Sequence, residues 1–309
     1  MSLQYEIANT PLSRKAILFH LAHADSSPSH DLTHVYQVAM TAMDSAVQAG
    51  IRNRTTLQDL FIVGMFHDII RSSQRVSDPA GVTASAEMVE QFGRENGFST
   101  RRIRLIQQTI VKPLSTKIGQ HLEFADAAYY LQENRLQAFS IENNELSTKT
   151  PKEIEAIYRK AFQHKMGKLP RAMRRRLDQL ASAVAGTKTT AQVHAVKAFS
   201  RERTDPTREV IPQFFIARKE RLHEFVNLLS SIAIENARPH PAFTRRIMNF
   251  LTHHSFEKYG GGDPLISQKL TQLGTLVTVK PRAKVLKNRP YQRLVRELRP
   301  HQRMGSRRQ

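Results

Sequence analysis

Residues 60–70 read LFIVGMFHDII, an apolar run that ends in two ionisable side chains, His67 and Asp68. Helical spacing and the near absence of polar residues before the pair indicate a buried helix. Burying a charged group is costly unless the group is paired or bound to a metal ion. The rest of the sequence should therefore provide a partner for these two side chains.

The hydrophobic pattern around this run is helical along almost the whole chain, so we predict an all-α fold. Gly50 is placed to end one helix, and Thr150, Pro151 and Glu153 form a capping-box start for another. The predicted helices cover residues 13–24, 32–49, 56 or 58 to 70, 82–92, 101–111, 123–132, a segment from 150, a segment from 170, 212–237 and 241–254. The only candidate strand is short, at residues 275–279.

Two other apolar helical runs each carry an isolated ionisable residue. His34 lies in SHDLTHVYQVAM (residues 29–40), and Asp126 lies in LEFADAAYYL (residues 122–131). One divalent cation would satisfy His34, His67, Asp68 and Asp126 together. The chain has no Cys, so such a site must use His, Asp and Glu, which suits Mn²⁺, Co²⁺, Ni²⁺, Fe²⁺, Zn²⁺ or Mg²⁺.

The order and spacing of these residues resemble the HD-domain superfamily of metal-dependent phosphohydrolases. The family pattern is a His, then a His-Asp pair, then a distant Asp, on the helices of an all-α bundle. The resemblance covers roughly residues 13–137. It implies that His34, His67, Asp68 and Asp126 bind metal, that Asp68 and Asp126 act in catalysis, and that the substrate is a nucleotide or another phosphomonoester or phosphodiester.

The chain departs from the family pattern in three places. Binuclear members carry further His ligands after the pair, but no His occurs between His67 and His121, which favours one metal ion. Guanosine-tetraphosphate hydrolases have acidic residues soon after the pair, and HDIIRSS has none. Gln37 stands where many members have Arg. These departures leave open a catalytically degenerate HD scaffold.

Other residues could assist at such a site. His30, Arg71 and Lys112 are candidate substrate-binding residues, because each lies close in sequence to a site segment or to a helix end. Each also has a structural interpretation: His30 in a turn, and the two cations on the solvated surface. His20 and His23 have a ligand-like spacing, but no third group joins them.

The chain is strongly basic, with a net charge of +20. Residues 280–309 contain eleven Lys or Arg and one acidic residue, Glu297. The net charge of this segment is therefore +10, half of the net charge of the chain. Such a block favours anionic partners. The alternative function is therefore binding of nucleic acid or an anionic surface through the basic C-terminal half. The candidate residues are Arg174, Arg175, Arg176, Lys284, Lys287 and Arg293.

Composition divides the chain into three predicted parts. Residues 1–145 form the HD-like metal-binding domain, residues 146–278 a second helical region of unknown role, and residues 279–309 a basic tail. The sequence has no apolar stretch of 18 residues and no usual secretory signal, so we expect a cytoplasmic protein without a membrane span.

Overall fold

A computed structural model of the chain describes residues 2–24, 31–70, 79–131, 149–180 and 219–253, with a few positions between 268 and 275. Most of the described residues are helical and none of them is in a strand, which confirms the all-α prediction. The helices are α1 (Leu3–Ala8), α2 (Pro11–His23), α3 (Leu32–Gln48), α4 (Arg54–Phe66), α5 (Pro79–Glu95), α6 (Thr100–Val111), α7 (Lys117–Tyr129), α8 (Pro151–Lys168), α9 (171–180), α10 (Lys219–Asn236) and α11 (Pro241–His253). A 3₁₀ turn, Pro113–Ser115, joins α6 to α7.

Helix α3 lies at the centre of the bundle, between α4 and α7. Nearly every residue from Leu32 to Ala46 is buried, because α3 contacts neighbours on more than one face. The start of α3 lies beside the end of α7, where the His34 and Tyr129 rings are 4.2 Å apart. Further along, Ser45 of α3 hydrogen-bonds His121 of α7. The two helices are therefore antiparallel.

Helix ends follow local sequence signals. The Asp31 side chain caps α3 by accepting from the His34 amide. Gly50 follows the end of α3 with φ of 87°, a conformation that favours glycine. The Thr150 and Glu153 side chains form the predicted capping box at the start of α8.

Several predicted boundaries were wrong. Helix α4 ends at Phe66 rather than at residue 70, so His67 and Asp68 follow the helix instead of lying within it. Helix α7 begins at Lys117, six residues before the predicted start, because Thr116 caps it. Helix α5 is longer at both ends than predicted, and α1 was not predicted. Thr275 is helical, and the rest of the predicted strand lies outside the described residues.

The main hydrophobic core includes helices from both sides of the predicted boundary near residue 145. Phe225 of α10 packs on Tyr36 of α3, with ring centroids 4.5 Å apart. Arg14 of α2 forms a 2.5 Å ion pair with Glu235 of α10. Helices α10 and α11 therefore share a core with the N-terminal bundle, and α8 and α9 pack on α7 through two smaller clusters.

Candidate metal centre

The candidate site forms where the start of α3 meets the end of α4. His34 lies in the first turn of α3, held by the Asp31 cap, and its side chain is fully buried. His67 is the C-cap residue of α4, and Asp68 follows it. The side chains of His67 and Asp68 are 9% and 12% exposed, so the group lies just below the surface.

Three ligand-type atoms converge at this point. The Nε2 atoms of His34 and His67 are 3.3 Å apart. The Oδ2 atom of Asp68 lies 3.3 Å from His34 Nε2 and 3.2 Å from His67 Nε2. Ligand atoms bound at about 2.0–2.2 Å from one ion, at tetrahedral or octahedral angles, are about 2.8–3.6 Å apart. The triangle therefore has the size that one first-row divalent ion requires, and the group can hold a metal ion.

The hydrogen bond at the other ring nitrogen of His67 favours the same role. His67 Nδ1 donates to the Gly64 carbonyl oxygen at 2.7 Å. A neutral ring protonated at Nδ1 has its lone pair on Nε2, which is the atom that faces His34 and Asp68. Metal-binding histidines are commonly oriented in this way by a backbone carbonyl.

The site is an acidic environment for His67. Burial alone would lower the pKa of His67, but the neighbouring Asp68 carboxylate, with a smaller contribution from Asp126, holds that pKa above its usual value. The contribution of Asp126 also places its carboxylate within electrostatic range of the three-residue group. A positive charge at this position, whether a proton or a metal ion, is therefore stabilised.

Asp126, the fourth predicted ligand, has a different partner in the structure. It is not part of the three-residue group. Its Oδ2 atom accepts from Lys165 Nζ of α8 at 2.5 Å. Burial would raise the pKa of Asp126, but the Lys165 ammonium, followed by His67 and His34, holds the pKa well below its usual range. Asp126 is thus an anionic group beside the triangle, and its role as a ligand stays a prediction.

The structure adds two residues that the sequence reading missed, Lys165 and Glu123. Glu123 lies one turn before Asp126 on α7, and its Oε2 atom is buried without a hydrogen-bond partner among the described residues. Burial raises the pKa of Glu123, with Asp126 adding to the effect and Lys165 opposing it. The i, i+3 spacing of Glu123 and Asp126 was a visible signal, whereas nothing in the local sequence pairs Lys165 with Asp126.

Two buried polar atoms of α3 flank His34 in sequence. Thr33 Oγ1 and Gln37 Nε2 are buried, and neither has a hydrogen-bond partner within the part of the chain that the structure describes. Buried polar atoms are nearly always satisfied by protein, water or a bound group.

His20 is a buried histidine of the core. The sequence suggested this, because no third ligand-type residue joins His20 and His23. Its ring is buried, and Nδ1 lies 3.2 Å from the Met65 carbonyl oxygen, to which it donates in the neutral ring. Burial lowers the pKa of His20 to about 4. His20 therefore helps to fix the last turn of α4, immediately before His67.

The structure describes only some of the residues that were predicted to bind substrate or anions. Lys112 is exposed at the end of α6. Arg174 and Arg175 are both exposed, and Arg174 donates to two backbone carbonyls. Arg176 is partly buried, donates to Ser45 and Gln48 and lies over the Phe124 ring. The following residues lie outside the described part of the chain: His30, Arg71, Lys284, Lys287 and Arg293.

Comparisons with family models, curated proteins and solved structures found no match to this chain. Among the helices that the structure describes, none combines the length and the apolar character needed to cross a membrane.

Proposed function

We propose that this chain is a metal-dependent phosphohydrolase that uses one divalent ion at His34, His67 and Asp68. The observation that carries the proposal is the triangle of three ligand-type atoms, 3.2–3.3 Å apart, in which the His67 lone pair is directed inward. The resemblance of the same residues to the HD-domain pattern supplies the reaction class.

The charge of the site supports a divalent cation. Asp68, Asp126 and Glu123 contribute three carboxylates. Lys165 and Lys168, which both act on Glu123, contribute two ammonium groups, so the formal charge is −1 when both imidazoles are neutral. This is an acidic cluster in a chain whose net charge is +20. A divalent ion would offset this negative charge, and the net positive charge of the chain would favour anionic substrates.

The chemistry follows from the positions of these groups. A bound divalent ion supplies a water of lowered pKa and polarises a phosphoryl oxygen. His34 and His67 act as neutral nitrogen ligands, with His67 held in the required tautomer by Gly64. Asp68 would supply the oxygen ligand, and Asp126, which interacts electrostatically with His67, is the candidate to orient a water or to join the ligand set.

The test is hydrolysis of a panel of phosphomonoesters, phosphodiesters and nucleotides with Mn²⁺, Co²⁺, Ni²⁺ or Mg²⁺ added. The wild type is compared with Asp68→Asn, which removes one negative charge and weakens metal binding with little change of shape. Asp178→Asn, at an exposed position of α9, is the matched control. We expect metal-dependent turnover in the wild type and control and at least a hundredfold loss in Asp68→Asn. Equal turnover in all three proteins, or none in the wild type with every metal, would refute the proposal.

A second candidate function rests on the basic C-terminal region. Residues 280–309 carry half of the net charge, so the chain could act as a scaffold that binds nucleic acid or another anionic partner. Binding of single-stranded and double-stranded RNA and DNA is measured before and after deletion of residues 279–309. Weaker, less salt-dependent binding after deletion supports this function, and unchanged affinity contradicts it.

A further inference from the structure

Lys165 is a cation that reaches the candidate site from outside the predicted metal-binding domain. It lies near the end of α8, and its ammonium contacts Asp126 Oδ2 at 2.5 Å. The two side chains are 27% and 15% exposed, so the ion pair is partly shielded from solvent. Glu123 also interacts electrostatically with Lys165. The ammonium of Lys165 therefore offsets part of the negative charge of the acidic cluster.

The position of Lys165 is fixed by contacts on either side of it. Tyr158 of α8 donates to the Tyr130 carbonyl oxygen at 2.7 Å, and the two rings are 5.2 Å apart. Beyond the end of α8, Leu169 is buried in a cluster with Phe124 of α7. Helix α8 is thus anchored to α7 both before and after Lys165, which limits the ammonium to the neighbourhood of Asp126.

An ammonium and a metal ion are alternative positive partners for one carboxylate. While Lys165 donates to Asp126 Oδ2, it occupies one lone pair of that carboxylate and offsets its negative charge, and the ammonium repels any cation bound at the triangle. Even about 8 Å apart, two unit charges at an effective dielectric constant of about 20 interact strongly enough to change a binding constant by more than tenfold.

We infer that Lys165 controls the metal occupancy of the site, because its ammonium and a divalent ion compete for Asp126. The inference rests on the proposed function, since it assumes that His34, His67 and Asp68 bind a metal ion. It extends that function to a regulatory role for α8, which lies outside the region that resembles the HD family.

The test is direct titration of the full chain with Mn²⁺, without a substrate. Lys165→Met removes the charge and keeps a side chain of similar length, and we expect Mn²⁺ to bind about tenfold more tightly or better. Lys165→Arg keeps the positive charge, and its affinity should stay close to that of the wild type. Lys160→Met, at an exposed position of the same helix, is the control for changing net charge and should also leave the affinity unchanged.

The outcomes separate this inference from the proposed function. Equal or weaker Mn²⁺ binding by Lys165→Met than by the wild type would overturn the inference alone. The same tightening in Lys160→Met would also overturn it, because the effect would then come from net charge. Failure of every variant, including a folded wild type, to bind any of the divalent ions would overturn both proposals. Circular dichroism and thermal unfolding establish that each variant is folded.

Discussion

Gly64 is the residue at which helix packing and site geometry are most closely linked. It lies in the last turn of α4, and its carbonyl oxygen accepts from His67 Nδ1. A Cβ atom added at Gly64 would lie 2.4 Å from Ala39 Cα, 2.6 Å from Ala39 Cβ and 2.8 Å from Ala39 N of α3. Ordinary Cβ contacts are 3.4–4 Å. Helices α3 and α4 can approach this closely only because residue 64 has no side chain.

We predict that Gly64→Ala damages both stability and metal binding. The shortest contact must lengthen from 2.4 Å to about 3.4 Å, so α3 and α4 must separate by about 1 Å. Two of the three close atoms are backbone atoms that cannot rotate away, so we expect a loss at the upper end of the range for overpacking, about 3 kcal/mol. His34 and His67 are on opposite sides of this contact, and metal sites tolerate shifts of only about 0.2 Å. Mn²⁺ affinity should therefore fall by about tenfold to a hundredfold.

The assays are urea denaturation and Mn²⁺ titration of the folded protein. Gly167→Ala is the matched control, because a Cβ at that position of α8 would meet nothing within 4 Å. It should leave metal binding unchanged and stabilise the protein by up to about 1 kcal/mol, as Ala does relative to Gly in helices. Adding Ala39→Gly to Gly64→Ala should restore only part of the stability, since the contacts with Ala39 Cα and N remain. Full stability and unchanged Mn²⁺ affinity in Gly64→Ala would refute this reasoning.

Three further predictions concern stability. The pKa of His20 is about 4 in the folded state and 6.5 in the unfolded state, so only the unfolded state gains a proton as the pH falls below 6.5, and the folded state becomes less stable. Between about pH 7 and about pH 5, the free energy of unfolding of the wild type should fall by about 2 kcal/mol more than that of His20→Asn. An equal fall for the two proteins in urea denaturation would contradict this prediction. Arg102 donates to the buried Asp59 at 2.7 Å, so Arg102→Met should lower the free energy of unfolding by about 3 kcal/mol. Adding Asp59→Asn to that variant should recover part of the loss. A change within experimental error in Arg102→Met would show that the pair does not stabilise the fold. Tyr158→Phe removes the hydrogen bond that anchors α8 and should cost about 1 kcal/mol, and an unchanged denaturation midpoint would rule out that anchoring role.

Local sequence signals predicted the parts of the fold that depend on neighbouring residues. The 3.6-residue spacing of apolar residues predicted the helices, because each helix buries one face. Gly50 and the Thr150–Glu153 capping box marked helix ends correctly, since these motifs satisfy backbone groups within a few residues. The end of α4 was placed too late because Ile69 and Ile70 continue the apolar pattern after the helix has stopped.

The sequence also indicated the residues of the triangle, but not the whole site. His34, His67 and Asp68 stood out as ionisable groups in or beside apolar runs, and the structure brings them together. The contact between Lys165 and Asp126 joins residues 39 positions apart on different helices. No periodicity or capping rule encodes that pairing, because it depends on how α8 packs against α7. The close approach of Gly64 to Ala39 is equally invisible without the packed helices.

The metal content of the purified chain is the measurement on which the proposed site depends. The wild type, His67→Ala, Asp68→Asn and Asp178→Asn would be dialysed against Mn²⁺, Co²⁺, Ni²⁺ or Zn²⁺ and analysed by elemental mass spectrometry. We expect one ion per chain in the wild type and Asp178→Asn, and a large loss in both site variants. Equal metal content in all four folded proteins, or no bound ion in the wild type, would show that the triangle of His34, His67 and Asp68 is not a metal site.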